Sequence, residues 1–239
     1  MTRRHRLVMQ ALLADIVEGR HPEGELLPTE MELVGQFGTS RGVVRETMRG
    51  LEERRVISVR HGLGASVRTS SDWDVLDEDV LLALVAHEGG RRIVGEYLEC
   101  RTALESEAAG LAALHAGPED LAAMAQALQR MEVTLEHAPA RAAEDLFHDA
   151  DIAFHRAVID GSGNRVLGRM AEPLQRRLGV VRRPLGRPDR RAEVAIPEHR
   201  RIAAAIAEGD EPEARAAMSD HLATVARYLS ELIDEGAGT

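Results

Sequence analysis

From Arg3 to about Gly19 the apolar positions Leu7, Val8, Leu12, Leu13, Ile16 and Val17 recur at helical spacing, and Gly19 with His21-Pro22-Glu23-Gly24 ends the run. Thr29 then stands where it can cap a short helix to Phe37, Gly38 breaks it, and Ser40 can cap another through about Arg54. After that the period changes to two: Val56, Ser58 and Arg60, then Ala65 and Val67, flank His61-Gly62-Leu63-Gly64. Two short helices joined by a tight turn and followed by a hairpin predict a winged helix-turn-helix over residues 1–69.

A polar, acidic stretch around Trp73 reads as a linker over 70–79, with the Trp packing two domains together. From Val80 to about 235 every segment has helical character. The predicted helices are Val80–Ala86, Arg91 to about His115, Pro118–Glu136, Ala140–Asp160, Asn164 to about Val181, Arg190–Glu208 and Glu211–Ile233. Gly89-Gly90, Gly117-Pro118, Gly161-Ser162-Gly163 and a loop at Pro184–Pro188 separate them, and Pro173 predicts a kink. The fold class is therefore mainly α, a winged head followed by an all-helical bundle.

One helix carries an unusual pattern. At about 100° per residue, Phe147, Phe154 and Val158 share one apolar strip, and Ile152 and Ile159 form a second. Asp151, His155 and, slightly aside, His148 fall between the strips, so this polar stripe faces an interior. Asp151 and His155 are one turn apart and converge. Such a pair needs either its own hydrogen bond or a shared ion. His199 and His221 lie in later helices with similarly apolar surroundings, and three His with one Asp suit a divalent transition metal such as Zn, Ni or Mn. Arg101, one turn after Tyr97 on an apolar helix, requires an anion, either a Glu of the body or a ligand.

Composition narrows the class. The chain has 239 residues, 44% apolar but only 3% aromatic, which favours helices packed through small side chains. A single cysteine, Cys100, fits a reducing cytoplasm, and no apolar run is long enough for a signal peptide or a membrane span. The net charge of −10 argues against general nucleic-acid affinity, yet residues 1–70 sum to +2 and residues 71–239 to −12. A slightly basic head on an acidic body is what a joined DNA-binding module shows. In the second short helix Arg41, Arg45 and Arg49 line one face, either as a solvated face or as a surface for the major groove.

The string L-P-T-E-x-E-L-x-x-x-F-G-x-S-R-x-x-V-R-E-x-M-R-x-L-E from Leu27 to Glu52, with H-G-x-G at the wing, resembles the GntR family of bacterial transcription regulators. That resemblance implies that Ser40, Arg41 and Arg45, with Arg49 on the same face, meet double-stranded operator DNA, and that His61 and Gly62 enter the minor groove. Met31, Gly42 and Arg55 depart from the usual pattern, Arg55 standing where Gly commonly closes the helix. The body resembles the FCD effector-binding domain of the FadR subfamily. It matches through Y-L-x-x-R-x-x-L-E-x-E-A-A around Arg101, D-x-x-F-H from Asp151 to His155, N-x-x-L at Asn164, E-H-x-x-I-x-x-A-I-x-x-G-D from Glu198 and A-x-x-x-M-x-x-H-L ending at Leu222. The resemblance implies Asp151, His155, His199 and His221 as metal ligands, Arg101 as a contact of a small carboxylate effector, and a homodimer; Asn164 is then left for the remaining hydroxyls of that effector. The junction from Trp73, W-D-V-L-D-E-D-V-L, resembles that of galactonate-responsive members.

The expected function is a ligand-responsive, non-enzymatic regulator of the repressor type, cytoplasmic and without membrane contact. Its effector is expected to be a sugar acid, with a dicarboxylate or an amino acid as alternatives. The rival of another class is a metal-dependent hydrolase, but the chain has no H-E-x-x-H helix, no second metal cluster and no general base beside the ligands.

Overall fold

The computed structural model describes residues 3–87, 90–137, 140–185 and 188–236, which pack as two units, Met1–Ile93 and Val94–Thr239. In the first unit α1 (Arg3–Val17) buries Met9, Leu12, Leu13 and Ile16. α2 (Glu30–Phe37) starts at a capping box in which Thr29 and Glu32 satisfy each other's backbone N–H, and it ends at Gly38 with φ 54°. α3 (Arg41–Glu53) is capped by Ser40, whose hydroxyl accepts from the Val43 N–H, and it buries Val44, Met48 and Leu51 against α1. β1 (Ile57–Arg60) and β2 (Gly64–Val67) pair antiparallel, Ile57 opposite Val67 and Arg60 opposite Gly64, with Gly62 at φ 78° in the turn. The predicted winged helix-turn-helix is present. Arg55 holds φ 60°, the left-handed conformation expected at the position where Gly is usual.

The junction differs from its prediction. Trp73 joins the head's own core with Leu51, Val56 and Val80, and its indole N–H donates to the Arg68 carbonyl at 3.0 Å. Asp77 caps α4 (Glu78–Val85) and accepts from Arg54 Nε at 2.9 Å, while Arg54 Nη2 donates to Asp79 Oδ2 at 3.1 Å. The acidic run is thus used locally, in capping a helix and holding Arg54. The head extends past residue 79, α4 packs on α1, and the boundary between units falls after Ile93.

The second unit is built from α5 (Gly90–His115), α6 (Pro118–His137), α7 (Ala140–Gly161), α8 (Arg165–Leu185), α9 (Pro188–Glu208) and α10 (Glu211–Gly236). α6 packs on α7 and α9, and α9 on α10, around Met124, Met131, Phe154, Val158, Ile202, Ile206, Met218 and Leu222. A second cluster, Ala108, Ile159, Leu167 and Ala171, joins α5, α7 and α8. Phe147, Phe154 and Val158 of α7 therefore face the first cluster and Ile159 the second, which carries the stripe between them into the interior. α8 runs on through Pro173 and past Val181 to Leu185. α9 opens on Pro188, whose missing N–H costs nothing in a first turn. The loop expected at Pro184–Pro188 is thus shorter, and its residues 186 and 187 lie outside the described residues. Among the described residues no helix is long and apolar enough to cross a membrane.

Candidate functional site

α7 contributes Asp151 and His155, α9 contributes His199, and α10 contributes His221, all buried, with one ligand atom of each lying within 4.8 Å of the others. Phe154 braces the group from the core, edge-on to the His199 ring with centroids 4.7 Å apart. His155 Nε2 is 3.3 Å from His199 Nε2 and 3.2 Å from His221 Nε2. Asp151 Oδ1 is 3.3 Å from His199 Nε2 and 3.9 Å from His155 Nε2.

The other ring nitrogens fix what these atoms are. His199 Nδ1 lies 2.7 Å from the Ala195 carbonyl oxygen, and His221 Nδ1 lies 2.8 Å from Glu198 Oε2. Carbonyl and carboxylate oxygens only accept, so each of these Nδ1 atoms carries the proton and each Nε2 presents a lone pair. His155 Nδ1 is 2.6 Å from Glu105 Oε2, close enough for strong charge interaction though poorly aligned as a hydrogen bond. Burial pushes the His155 imidazole below its ordinary value, outweighing the upward pull of Glu105. Three lone pairs and a carboxylate oxygen then face one small space and repel each other unless a cation joins them.

The spacing fits a metal. Ligand nitrogens about 2.1 Å from an ion stand roughly 3.0 Å apart at right angles and 3.4 Å apart at the tetrahedral angle, which brackets the observed 3.2 and 3.3 Å. Charge fits as well: the buried Asp151 carboxylate stands among the three rings and the partly buried Glu198 carboxylate stands behind His221, surroundings that favour a cation.

Arg101 is buried and pairs with Glu105 one turn on, Nε to Oε1 at 2.7 Å and Nη2 to Oε2 at 3.4 Å. Burial opposes the charge on Glu105, but Arg101 and then His155 outweigh it and hold the carboxyl well below the usual carboxylate range. Gln175 of α8 adds a third bond, Nε2 to Glu105 Oε1 at 3.0 Å. Of the two partners open to Arg101 in the sequence, the structure shows the Glu of the body. Arg101 also lines, with His148, Asp151, Ile152, His155, Gln175 and Gly179, a small cavity of about 10 Å³, room for about one water.

Asn164 is not in that cavity. It is exposed at the start of α8, where its amide oxygen accepts from the Val166 and Leu167 N–H groups at 3.1 Å. Glu105 and Glu198, which orient two of the rings, were not singled out in the sequence. Spacing was the available signal, since Glu105 is four residues after Arg101 and Glu198 directly precedes His199. His148 lies beside the cluster in the cavity wall and is not one of its four members.

On the head Arg41, Arg45 and Arg49 form one exposed row on α3, and His61 and Gly62 are exposed at the turn of the wing. Arg45 Nε donates to Glu30 Oε2 at 3.0 Å and Arg49 Nε to Glu53 Oε1 at 3.1 Å. Arg41 has no ion pair among the described residues. Ser40 spends its hydroxyl as a helix cap.

Comparison with known proteins agrees with this division. Residues 5–67 match the bacterial regulatory proteins of the gntR family, and residues 96–224 match the FCD domain. The chain is 31% identical to the galactonate operon transcriptional repressor of Escherichia coli, over 91% of this chain and 93% of that protein. It is also 31% identical to the Uxu operon transcriptional regulator of Escherichia coli, over 92% and 85%. In fold it resembles the solved structure of Lar, described as controlling expression of the Listeria monocytogenes agr system, with a TM-score of 0.63, 18% identity and 98% of both chains covered. The matched families and relatives are regulators and not enzymes, which removes the hydrolase alternative. The chain is a DNA-binding transcription regulator that belongs to the gntR family of bacterial regulatory proteins, with an FCD domain as its helical body.

Proposed function

We propose that this regulator is a homodimeric repressor of the cytoplasm whose body binds a divalent transition metal and, beside it, a small organic acid, a sugar acid of the galactonate type. The observation that carries the reading is the convergence of three imidazole Nε2 atoms 3.2–3.3 Å apart with a buried carboxylate. Asp151, His155, His199 and His221 would hold the ion, which as Zn, Ni or Mn would supply a positive centre for a carboxylate and its neighbouring hydroxyl. The relatives support a sugar acid over a dicarboxylate or an amino acid, since one is named for the galactonate operon.

The cavity beside the cluster supports a conformational mechanism. Small-molecule sites run to about 300–1,000 Å³, whereas this one offers about 10 Å³. An acid is admitted only if the wall formed by α7 and α8 moves. Binding therefore favours an opened body over the closed one, and that differential affinity is what a ligand needs to shift an equilibrium. In a dimer the shift would alter the separation of the two heads on the operator. Galactonate added to the metal-loaded protein is expected to release operator DNA, to lose that effect after chelation, and to be recovered chemically unchanged. Release by an amino acid or dicarboxylate, with silence from every sugar acid, would reassign the effector. Release by none of them would end the ligand-controlled reading.

On the DNA side the row on α3 would enter the major groove, with His61 and Gly62 at the minor groove. Glu30 holds Arg45 at 3.0 Å in the free protein, which aims the guanidinium without fixing it, both side chains being exposed. If Arg45 forks onto a guanine, Arg45→Ala should cost about 1–3 kcal/mol on the operator and relax preference at one base pair. Titrations on operator variants at fixed salt check this. A loss uniform across all sequences would assign Arg45 to phosphate, and no loss would rule out the docking.

A further inference from the structure

The cluster is shut in, so an acid reaching it must pass a wall, and the two sides of that wall are unlike. On one side the helices touch: a Cβ placed on Gly179 would sit 2.6 Å from His148 Nε2, leaving no passage. On the other side stands Gln175, which lines both the small cavity and a groove of about 470 Å³ that opens between α7 and α8. Resting on the metal-and-acid reading above, we propose that this groove is the entrance for the anionic ligand, that Arg165 and Arg169 capture it there, and that Gln175 is the gate.

The charges in the groove favour an anion. Arg156 lies 3.6 Å from Asp160, and Arg176 holds Glu172 at 2.5 Å, so these four cancel in pairs. Arg165 and Arg169 remain, one turn apart on α8, exposed and without an ion pair among the described residues. On a body that sums to −12 over residues 71–239, an uncompensated pair of guanidinium groups is the local exception, and such a spot speeds encounter with a small anion. Asn164, expected to meet the effector, lines this groove and not the cavity.

The gate follows from how Gln175 is held. The side chain is buried, and its amide donates one hydrogen bond, to Glu105 Oε1 at 3.0 Å. Rotation about its single bonds breaks that bond while Glu105 keeps both contacts to Arg101. Gly168, Glu172 and Gln175 stand at i, i+4 and i+7 on the α8 face that forms the groove. A Cβ on Gly168 would lie 3.5 Å from Ile159 Cγ2, an ordinary contact, so a longer side chain there fits the fold and extends into the groove.

The test reads passage to the cluster directly. Full-length protein loaded with cobalt(II) is mixed with dipicolinate, a dianionic chelator, or with neutral 1,10-phenanthroline, and loss of the cobalt absorption gives the chelator-dependent rate. The double variant Arg165→Gln/Arg169→Gln should bind cobalt as the parent does. It should lose metal to dipicolinate about tenfold more slowly at low salt, keep its phenanthroline rate, and converge with the parent at high salt. Gln175→Ala should speed both chelators, and Gly168→Leu should slow both. Metal bound normally but released at rates that none of these substitutions changes would overturn the entrance and leave the metal site standing. A parent protein that binds no metal would overturn the underlying reading, and the entrance with it.

Discussion

Glu105→Ala is expected to cost the helical body about 3–5 kcal/mol of folding stability, the range for removing one partner of a buried ion pair. The effect is large because Glu105 serves three groups at once. It takes Arg101 at 2.7 Å and Gln175 at 3.0 Å on Oε1, and it faces His155 Nδ1 at 2.6 Å on Oε2. Without it the Arg101 guanidinium, 4% exposed, loses its hydrogen-bonded carboxylate and keeps only the attraction of Asp151. A second substitution separates this cause from simple loss of packing. Arg101→Met/Glu105→Leu removes both charges and keeps most of the volume, and it should recover most of the loss. Denaturant titration of the metal-free parent, single variant and double variant decides it. A single variant within 1 kcal/mol of the parent would mean that water reaches Arg101 in solution. The acid dependence has a definite sign. Arg101 and His155 hold the Glu105 carboxyl well below its ordinary value against the effect of burial, so its contribution is present above the unfolded carboxylate range, about pH 4.3, and is lost only far below it. His155 is depressed as well, chiefly by burial, so below about pH 6.5 the unfolded chain takes up a proton that the folded one refuses. Acid should therefore weaken the body first through the histidine.

The parts of this protein most legible in its sequence are those where periodicity and chemistry agree. Asp151 and His155 were readable as interior because apolar residues flank them at helical spacing on both sides, and the structure packs Phe147, Phe154 and Val158 on one cluster and Ile159 on another. The head was readable because caps are local: Thr29, Gly38 and Ser40 each act within four residues of themselves. What escaped was decided by partners distant in the chain. Polar composition around Trp73 looks the same whether a segment is a linker or a strap. Only Arg54, more than twenty residues earlier, shows why Asp77 and Asp79 are needed where they are. The Asn164 amide oxygen caps α8, a use that requires nothing beyond the next three residues. Arg101 shows a different limit. The sequence demanded an anion for it and left two sources open, and the structure fills the place with the nearer one. An effector carboxylate reaching Arg101 would thus share the guanidinium with Glu105.

His155→Ala is expected to produce the largest loss of metal affinity of any single change in the chain. Its Nε2 is the common vertex of the cluster, 3.3 Å from His199 Nε2, 3.2 Å from His221 Nε2 and 3.9 Å from Asp151 Oδ1. Removing it leaves two imidazoles and one carboxylate around a space opened by a missing ring. Glu198→Ala provides the scale. Glu198 Oε2 accepts from His221 Nδ1 at 2.8 Å, on the far side of the ring from the Nε2 that faces the cluster, so it acts by orienting that ring, and loss of such an outer partner typically costs about 10–100-fold in affinity. His155→Ala should exceed that, and competition titration of both variants against a chromophoric chelator gives the order. Acid should act in the same direction on the parent. Below about pH 6.5 free imidazoles gain protons, and ligand imidazoles must be neutral, so protons compete with the ion for three sites at once and affinity should fall steeply with pH. Equal affinity in the parent and in both variants would show that the ion sits elsewhere. A greater loss from Glu198→Ala than from His155→Ala would move the centre toward α9 and α10, with Asp151 and His155 reduced to a buried hydrogen-bonded pair on α7.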